Sequence, residues 1–139
     1  YVYRTSDYGN TWQDISEGIP GGPVNVIYED PVYQGLLYVG TDLGVYVTLD
    51  DGKSWHVLGS EMPITFVHDL ALQERENVLV AATHGRGMYT IRLRSLHNAY
   101  KKLHDIDDEQ EDASSEDDED DKERPRRRRR RSDNEDDDG

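Results

Sequence analysis

Thr5-Ser6-Asp7-Tyr8-Gly9-Asn10-Thr11-Trp12 and Thr48-Leu49-Asp50-Asp51-Gly52-Lys53-Ser54-Trp55 share the pattern Ser/Thr-x-Asp-x-Gly-x-Ser/Thr-Trp and lie 43 residues apart. A fixed period of this size is the mark of a repeat protein in which one supersecondary unit is copied along the chain. The register extends beyond the octapeptide. Val2 and Tyr3 match Val45 and Tyr46, Ile19-Pro20 matches Met62-Pro63, and Val24 matches Val67. Residues 1–28 align with 44–71 without a gap, and Tyr46 recurs as Tyr89.

Within each period, short apolar runs alternate with turn formers. Residues 24–28 precede Asp30-Pro31, 36–39 precede Gly40, 44–47 run into Asp51-Gly52, and 55–58 end at Gly59. Runs of this length, rich in Val, Ile and Tyr and bounded by Gly, Pro and Asp, read as strands. Four strands in about 43 residues is the spacing of a β-propeller blade. The expected fold is therefore all-β: a partial β-propeller of about two four-stranded blades over residues 1–93, a short helix over 94–106, and a disordered charged tail over 107–139.

The octapeptide falls on the hairpin between the third and fourth strands. Asp7 and Asp50 are expected to accept hydrogen bonds from N–H groups of their own turns, and Gly9 and Gly52 to supply positive φ. Thr5 and Thr48 open the motif. Thr11 and Ser54 are expected to bond to the turn backbone, and Trp12 and Trp55 to pack between neighbouring blades. All these roles are structural, so no catalytic residue is assigned to the motif.

These residues resemble the Asp-box, or BNR repeat, found in propellers of sialidases, xyloglucan-degrading hydrolases, sortilin-type receptors and a photosystem assembly factor. The chain more closely resembles the end of the propeller in large bacterial sortilin-like and BNR-repeat glycosyl hydrolase-like proteins. There, a stretch like Val39-Gly40-Thr41-Asp42-Leu43-Gly44-Val45-Tyr46 precedes an Asp-box. A stretch like Ala82-Thr83-His84-Gly85-Arg86-Gly87-Met88-Tyr89 comes one blade later and usually ends the propeller. The resemblance covers residues 1–93 and implies that missing upstream blades are partners of this piece. It also implies that Leu93, standing where Asp7 and Asp50 stood, marks a last blade without an Asp-box. About two blades cannot bury both faces of every sheet, and stacked repeats generally need at least three units, so a C-terminal fragment of a longer protein is expected.

Composition narrows the classes. With no Cys there are no disulfides or thiolate metal sites, which separates the chain from animal sortilin receptors, whose propeller is followed by a cysteine-rich module. It is compatible with a secreted or periplasmic bacterial protein, the setting favoured. No apolar run approaches the ~18 residues of a membrane helix. The net charge of −14 is uneven: residues 1–104 hold 8 Lys/Arg against 12 Asp/Glu, and residues 105–139 hold 8 against 18. The segment 95–106 reads as a helix with Leu96, Tyr100 and Leu103 on one face and Ser95 as its cap. Beyond it stand acidic blocks at 116–121 and 135–138 and six arginines at 126–131. Arginine runs alone suggest a nucleic-acid patch. The flanking acids compete for them, so nucleic acid is not an expected partner.

Chemistry is expected on the other ends of the sheets. The turns joining second and third strands, residues 41–44 and 83–87, place Asp42, His84 and Arg86 near the channel. Asp42 is a candidate acid or base, His84 a proton shuttle or metal ligand, and Arg86 a fork for carboxylate or sugar oxygens. The competing reading gives Arg86 to a neighbouring acid and His84 to the turn itself. His56 and His68 fall in strands as packing or surface residues. Glycoside hydrolysis usually needs two flanking carboxylates; here only Asp42 qualifies, and no Phe-Arg-Ile-Pro segment of the sialidase type occurs. The expectation is a binding or interaction scaffold for a protein or glycan, with no cofactor and no metal. The alternative is the end of a glycoside hydrolase whose other acids lie upstream.

Overall fold

The computed structural model describes residues 1–20 and 22–106; the expected tail lies outside them. Among the described residues, nine strands form three antiparallel sheets, and one helix follows. The first sheet is a hairpin of β1 (Tyr3–Arg4) and β2 (Gln13–Asp14). The second is a four-stranded meander of β3 (Val24–Glu29), β4 (Leu37–Thr41), β5 (Gly44–Thr48) and β6 (His56–Leu58). The third holds β7 (Val67–Gln73), β8 (Val78–Thr83) and β9 (Met88–Arg92) in that order. Trp55 stands just outside β6 rather than opening it.

Burial follows from position in the sheet. β4 and β5 are buried along their whole length, which is why they read as continuous apolar runs rather than alternating ones. On β3 the alternation survives: Val24, Val26 and Tyr28 are half-buried while Asn25, Ile27 and Glu29 are exposed. Two cores result. Val39, Tyr46 and Trp55 of the second sheet meet Val2 and Ile15 of the first. On its other face, Tyr38, Val45 and Val47 meet Val67, Leu70 and Leu79 of the third. Each fully buried Val or Leu contributes about 1.5–3 kcal/mol.

Gly40 lies at the tightest point of the second core. A Cβ there would stand 2.6 Å from Cγ1 of Val67 and 2.7 Å from Cγ1 of Val26. Gly40→Ala is expected to cost about 1–3 kcal/mol by overpacking, read as a lowered urea midpoint with unchanged slope.

The helix α1 spans Arg94–Leu103. Leu93 occupies its N-cap position without a side-chain cap bond, so Ser95 does not cap it. Its buried face is also rotated from the expected one: His97, Tyr100 and Lys101 are buried, Leu96 is half-buried, and Leu103 is 58% exposed. The cause is polar. The Tyr100 hydroxyl donates to the Gln34 carbonyl at 2.6 Å, and His97 reaches Asp30, so the helix docks through Tyr100, which the expected face included, and His97, which it did not. Among the described residues, no helix is long and apolar enough to cross a membrane.

Candidate functional site

The two Trp-ended hairpins have the same internal bonding. In the first, Thr5 Oγ1 donates to Asp7 Oδ1 at 2.8 Å and accepts from the Gly9 N–H at 2.8 Å. Asp7 also accepts from the Thr11 N–H at 2.8 Å and the Thr11 hydroxyl at 2.6 Å. In the second, Thr48 bonds Asp50 at 2.7 Å and the Gly52 N–H at 2.9 Å; Asp50 accepts from the Ser54 N–H at 2.9 Å and hydroxyl at 2.6 Å. Thr11 and Ser54 thus give their hydroxyls to the carboxylate, not to turn carbonyls. Each turn contains two left-handed residues in succession: Tyr8 and Gly9 at φ 58° and 90°, Asp51 and Gly52 at 68° and 88°. The pattern anticipated only the glycines.

These bonds hold Asp7 below the usual carboxylate range, with Thr11 contributing most. At Asp50, burial pushes the other way, but bonds from Ser54 and Thr48 outweigh it and the net shift is also downward. The tryptophans differ. Trp55 is buried and donates from Nε1 to the Ile15 carbonyl at 2.7 Å, bracing the second sheet on the first. Trp12 is 62% exposed and donates within its own turn, to Gly9 O at 3.1 Å. The expectation that both pack between sheets therefore fails for Trp12: among the described residues none plays for it the part that Ile15 plays for Trp55. Beside Trp12, a groove of about 440 Å³ runs between the first hairpin and β3, with the Arg4–Asp51 ion pair on its wall.

At the opposite ends of the strands, the two turns carrying the candidate residues are built alike. Thr41 Oγ1 donates to Gly44 O at 3.0 Å, and Thr83 Oγ1 donates to Gly87 O at 2.6 Å. The second turn is one residue longer, so Asp42 and His84 hold equivalent places, each following its threonine. A β-bulge recurs as well. Val24 and Val26 pair with Thr41 and Gly40, leaving Asn25 as the extra residue. Val67 and Asp69 pair with Thr83 and Ala82, leaving His68. Bulges re-aim side chains and terminate regular pairing, and here each bulged residue reaches the adjacent turn.

Asn25 Nδ2 donates to Asp42 Oδ1 at 2.9 Å and to the Val67 carbonyl at 3.1 Å, tying the Asp42 turn of the second sheet to the start of β7. From there the row continues as rings. Phe66 and His68 have centroids 5.5 Å apart, and His84 lies 6.2 Å from Phe66 and 6.3 Å from His68. The His84 N–H is fixed by Phe66 O at 3.0 Å. Arg86 is exposed in the same turn and forms no ion pair with a described residue. Asp42 and His84 are thus brought onto one continuous edge, and Asn25, Phe66 and His68 are members that sequence reasoning missed. The 43-residue spacing of Asn25 and His68 was visible, but the bulge that turns them outward was not.

A second cluster is buried beneath the helix. Asp30 accepts from the Tyr38 hydroxyl at 2.8 Å and from the N–H groups of Val32 and Tyr33 at 3.0 and 3.1 Å. His97 Nε2 lies 3.0 Å from Oδ2, the oxygen that also accepts from Tyr38; an ionised carboxylate only accepts, so that nitrogen carries the proton. Burial alone would raise the Asp30 pKa, yet the bonds from His97, Val32, Tyr38 and Tyr33 bring it below the ordinary value. Burial, then the Asp30 bond, drives Tyr38 far upward, so its phenol stays neutral. His104 Nε2 donates to Leu49 O at 2.8 Å and its ring packs on Tyr100 at 4.1 Å.

No group of three or more His, Asp or Glu side chains gathers as a metal cage among the described residues. No family model matches the chain, and no curated protein or solved structure is similar to it at a significant level.

Proposed function

We propose that this chain is part of an Asp-box β-propeller and that its turn edge, carrying Asn25, Asp42, His84 and Arg86, binds a protein or glycan ligand as a scaffold without catalysis. The observation that carries this reading is the Asn25 bridge, which bonds both Asp42 and the backbone of the next sheet. It fixes polar groups from two sheets in one row, as loops on a rigid scaffold do where they bind. The equivalent hairpins support the propeller part of the reading, since each repeats the other's bonds. On this reading, the groove beside β1 is where further strands of that blade would sit.

The ligand suits the edge: a hydroxyl-rich or carboxylate-bearing chain meets a donor at Arg86 and an acceptor at Asp42, which Asn25 holds in place. Binding of the full chain to an array of plant and bacterial polysaccharides tests it. Asp42→Ala and Arg86→Ala are each expected to weaken capture about tenfold, near 1.4 kcal/mol, with Asp14→Ala unchanged. Equal binding by all variants overturns the edge assignment. Release of reducing sugar that disappears in Asp42→Asn would instead favour a glycoside hydrolase.

A further inference from the structure

The five histidines divide sharply by what their ring nitrogens do. His97 is held by Asp30, His104 by the Leu49 carbonyl, and His56 lies 3.5 Å from Ser54 Oγ. Only His68 and His84 leave their ring nitrogens without a hydrogen-bond partner among the described residues, and these two face each other across β7 and the β8–β9 turn. Their centroids are 6.3 Å apart with planes at 64°. Two imidazoles sharing one ion at the usual metal–nitrogen length of about 2.0–2.1 Å place their ring centres roughly 6.4 Å apart when trans and roughly 5.2 Å apart at a tetrahedral angle, so the 6.3 Å here matches a trans pair directly and a tetrahedral one after a small closing turn of either exposed side chain. We propose that His68 and His84 form a two-imidazole site for a borderline transition-metal ion such as Zn²⁺ or Cu²⁺.

The surroundings favour that use. The bulge at His68 takes it out of the regular alternation, and the His84 backbone bond to Phe66 O fixes the base of the second ring. Phe66 packs against both rings, which limits the rotamer freedom lost on binding. Both histidines are exposed, so no buried group must be dehydrated to admit an ion. Two protein ligands leave positions open for water or an oxygen of an incoming ligand, as open zinc sites do. Arg86 in the same turn opposes a cation, but its charge is in solvent and screened. This inference stands on ring geometry and goes beyond the ligand reading: the pair binds an ion whether or not the edge binds a polymer.

Cu²⁺ is the sharper probe, because it binds nitrogen sites most tightly in the divalent series. One equivalent added to the full 139-residue chain is expected to give an electron paramagnetic resonance spectrum with two coupled nitrogens, displaced by excess Zn²⁺. His68→Ala and His84→Ala are each expected to reduce this to one nitrogen and weaken binding at least tenfold in chelator competition. His68→Asn serves as a second, milder variant, and His56→Ala is expected to behave as the parent. The acidic residues 107–139 offer oxygen ligands alone, so an oxygen-only spectrum, or parental affinity in both His68→Ala and His84→Ala, overturns the site. Loss of metal with polysaccharide capture intact would leave the ligand reading standing, and the converse would leave the metal site standing.

Discussion

Trp55→Ala is expected to cost about 3–5 kcal/mol of stability, whereas Trp12→Ala costs at most about 0.5 kcal/mol, although the two residues end the same octapeptide. Trp55 is 7% exposed and fills the core between the first and second sheets. Its removal leaves a cavity lined by Val2, Ile15 and Val39 and strips the Ile15 carbonyl of the indole donor at 2.7 Å. The adjacent Gly52 deepens the dependence: any Cβ there would stand 2.7 Å from Ile15 Cβ, so this corner is closed on both sides of Ile15. Trp12 loses only a bond within its own turn and a face already in water. Urea denaturation of the folded protein carrying this chain distinguishes them. Equal losses would mean that the repeat positions are energetically equivalent and that the exposure of Trp12 does not govern its contribution.

The strands were legible because their signals are local. Residues such as Val45 and Tyr46 sit between Gly44 and the Asp51-Gly52 turn, and both the apolar run and its punctuation are written in the sequence. The carboxylate network of the hairpins was legible in type for the same reason, since Asp50 and its donors Thr48 and Ser54 lie within a few residues. What sequence alone missed depends on through-space partners. The helix face was read only in part: Tyr100 and half-buried Leu96 lie on it, but Leu103 does not, and His97, whose partner Asp30 lies 67 residues earlier, was missed. At the candidate edge, Asp42 and His84 were found from their turns. Asn25 and His68 were not, because a bulge changes which way a side chain points without changing a single residue type. Even the equivalence of Asp42 with His84 appears only in the pairing, where the threonine before each bonds the glycine that ends its turn.

Asp30→Ala is expected to cost about 3–5 kcal/mol, the range for removing one member of a buried charged network. Its carboxylate gathers four donors from three elements: the Val32 and Tyr33 N–H groups of the β3–β4 turn, the Tyr38 hydroxyl on β4, and His97 on α1. Deleting it strands the Tyr38 hydroxyl, which is fully buried, and releases the one bond that carries the helix to the sheet through His97. The loss is expected to be local first. Amide exchange should quicken along α1 before β4 and β5, because the helix loses a buried anchor while the sheet keeps its ladders, with the Tyr100 bond to Gln34 O and the His104 bond to Leu49 O still among the contacts that hold α1. The pH dependence has a fixed sign. The Asp30 pKa is depressed in the folded protein, so its contribution is complete above the unfolded value of about 3.9 and is lost as pH falls through the lower folded value. The parent should therefore lose urea resistance below about pH 4, and Asp30→Asn, which does not titrate, should show a shallower acid limb. Asp50 shares the direction of shift, so a residual slope in Asp30→Asn is expected and should shrink again when Asp50→Asn is added. An acid limb unchanged by both substitutions would place the titrating groups elsewhere. Unchanged helix exchange in Asp30→Ala would show that α1 is held by its aromatic contacts with Tyr33, which lies 4.8 Å from His97 and 4.9 Å from Tyr100, and not by the carboxylate.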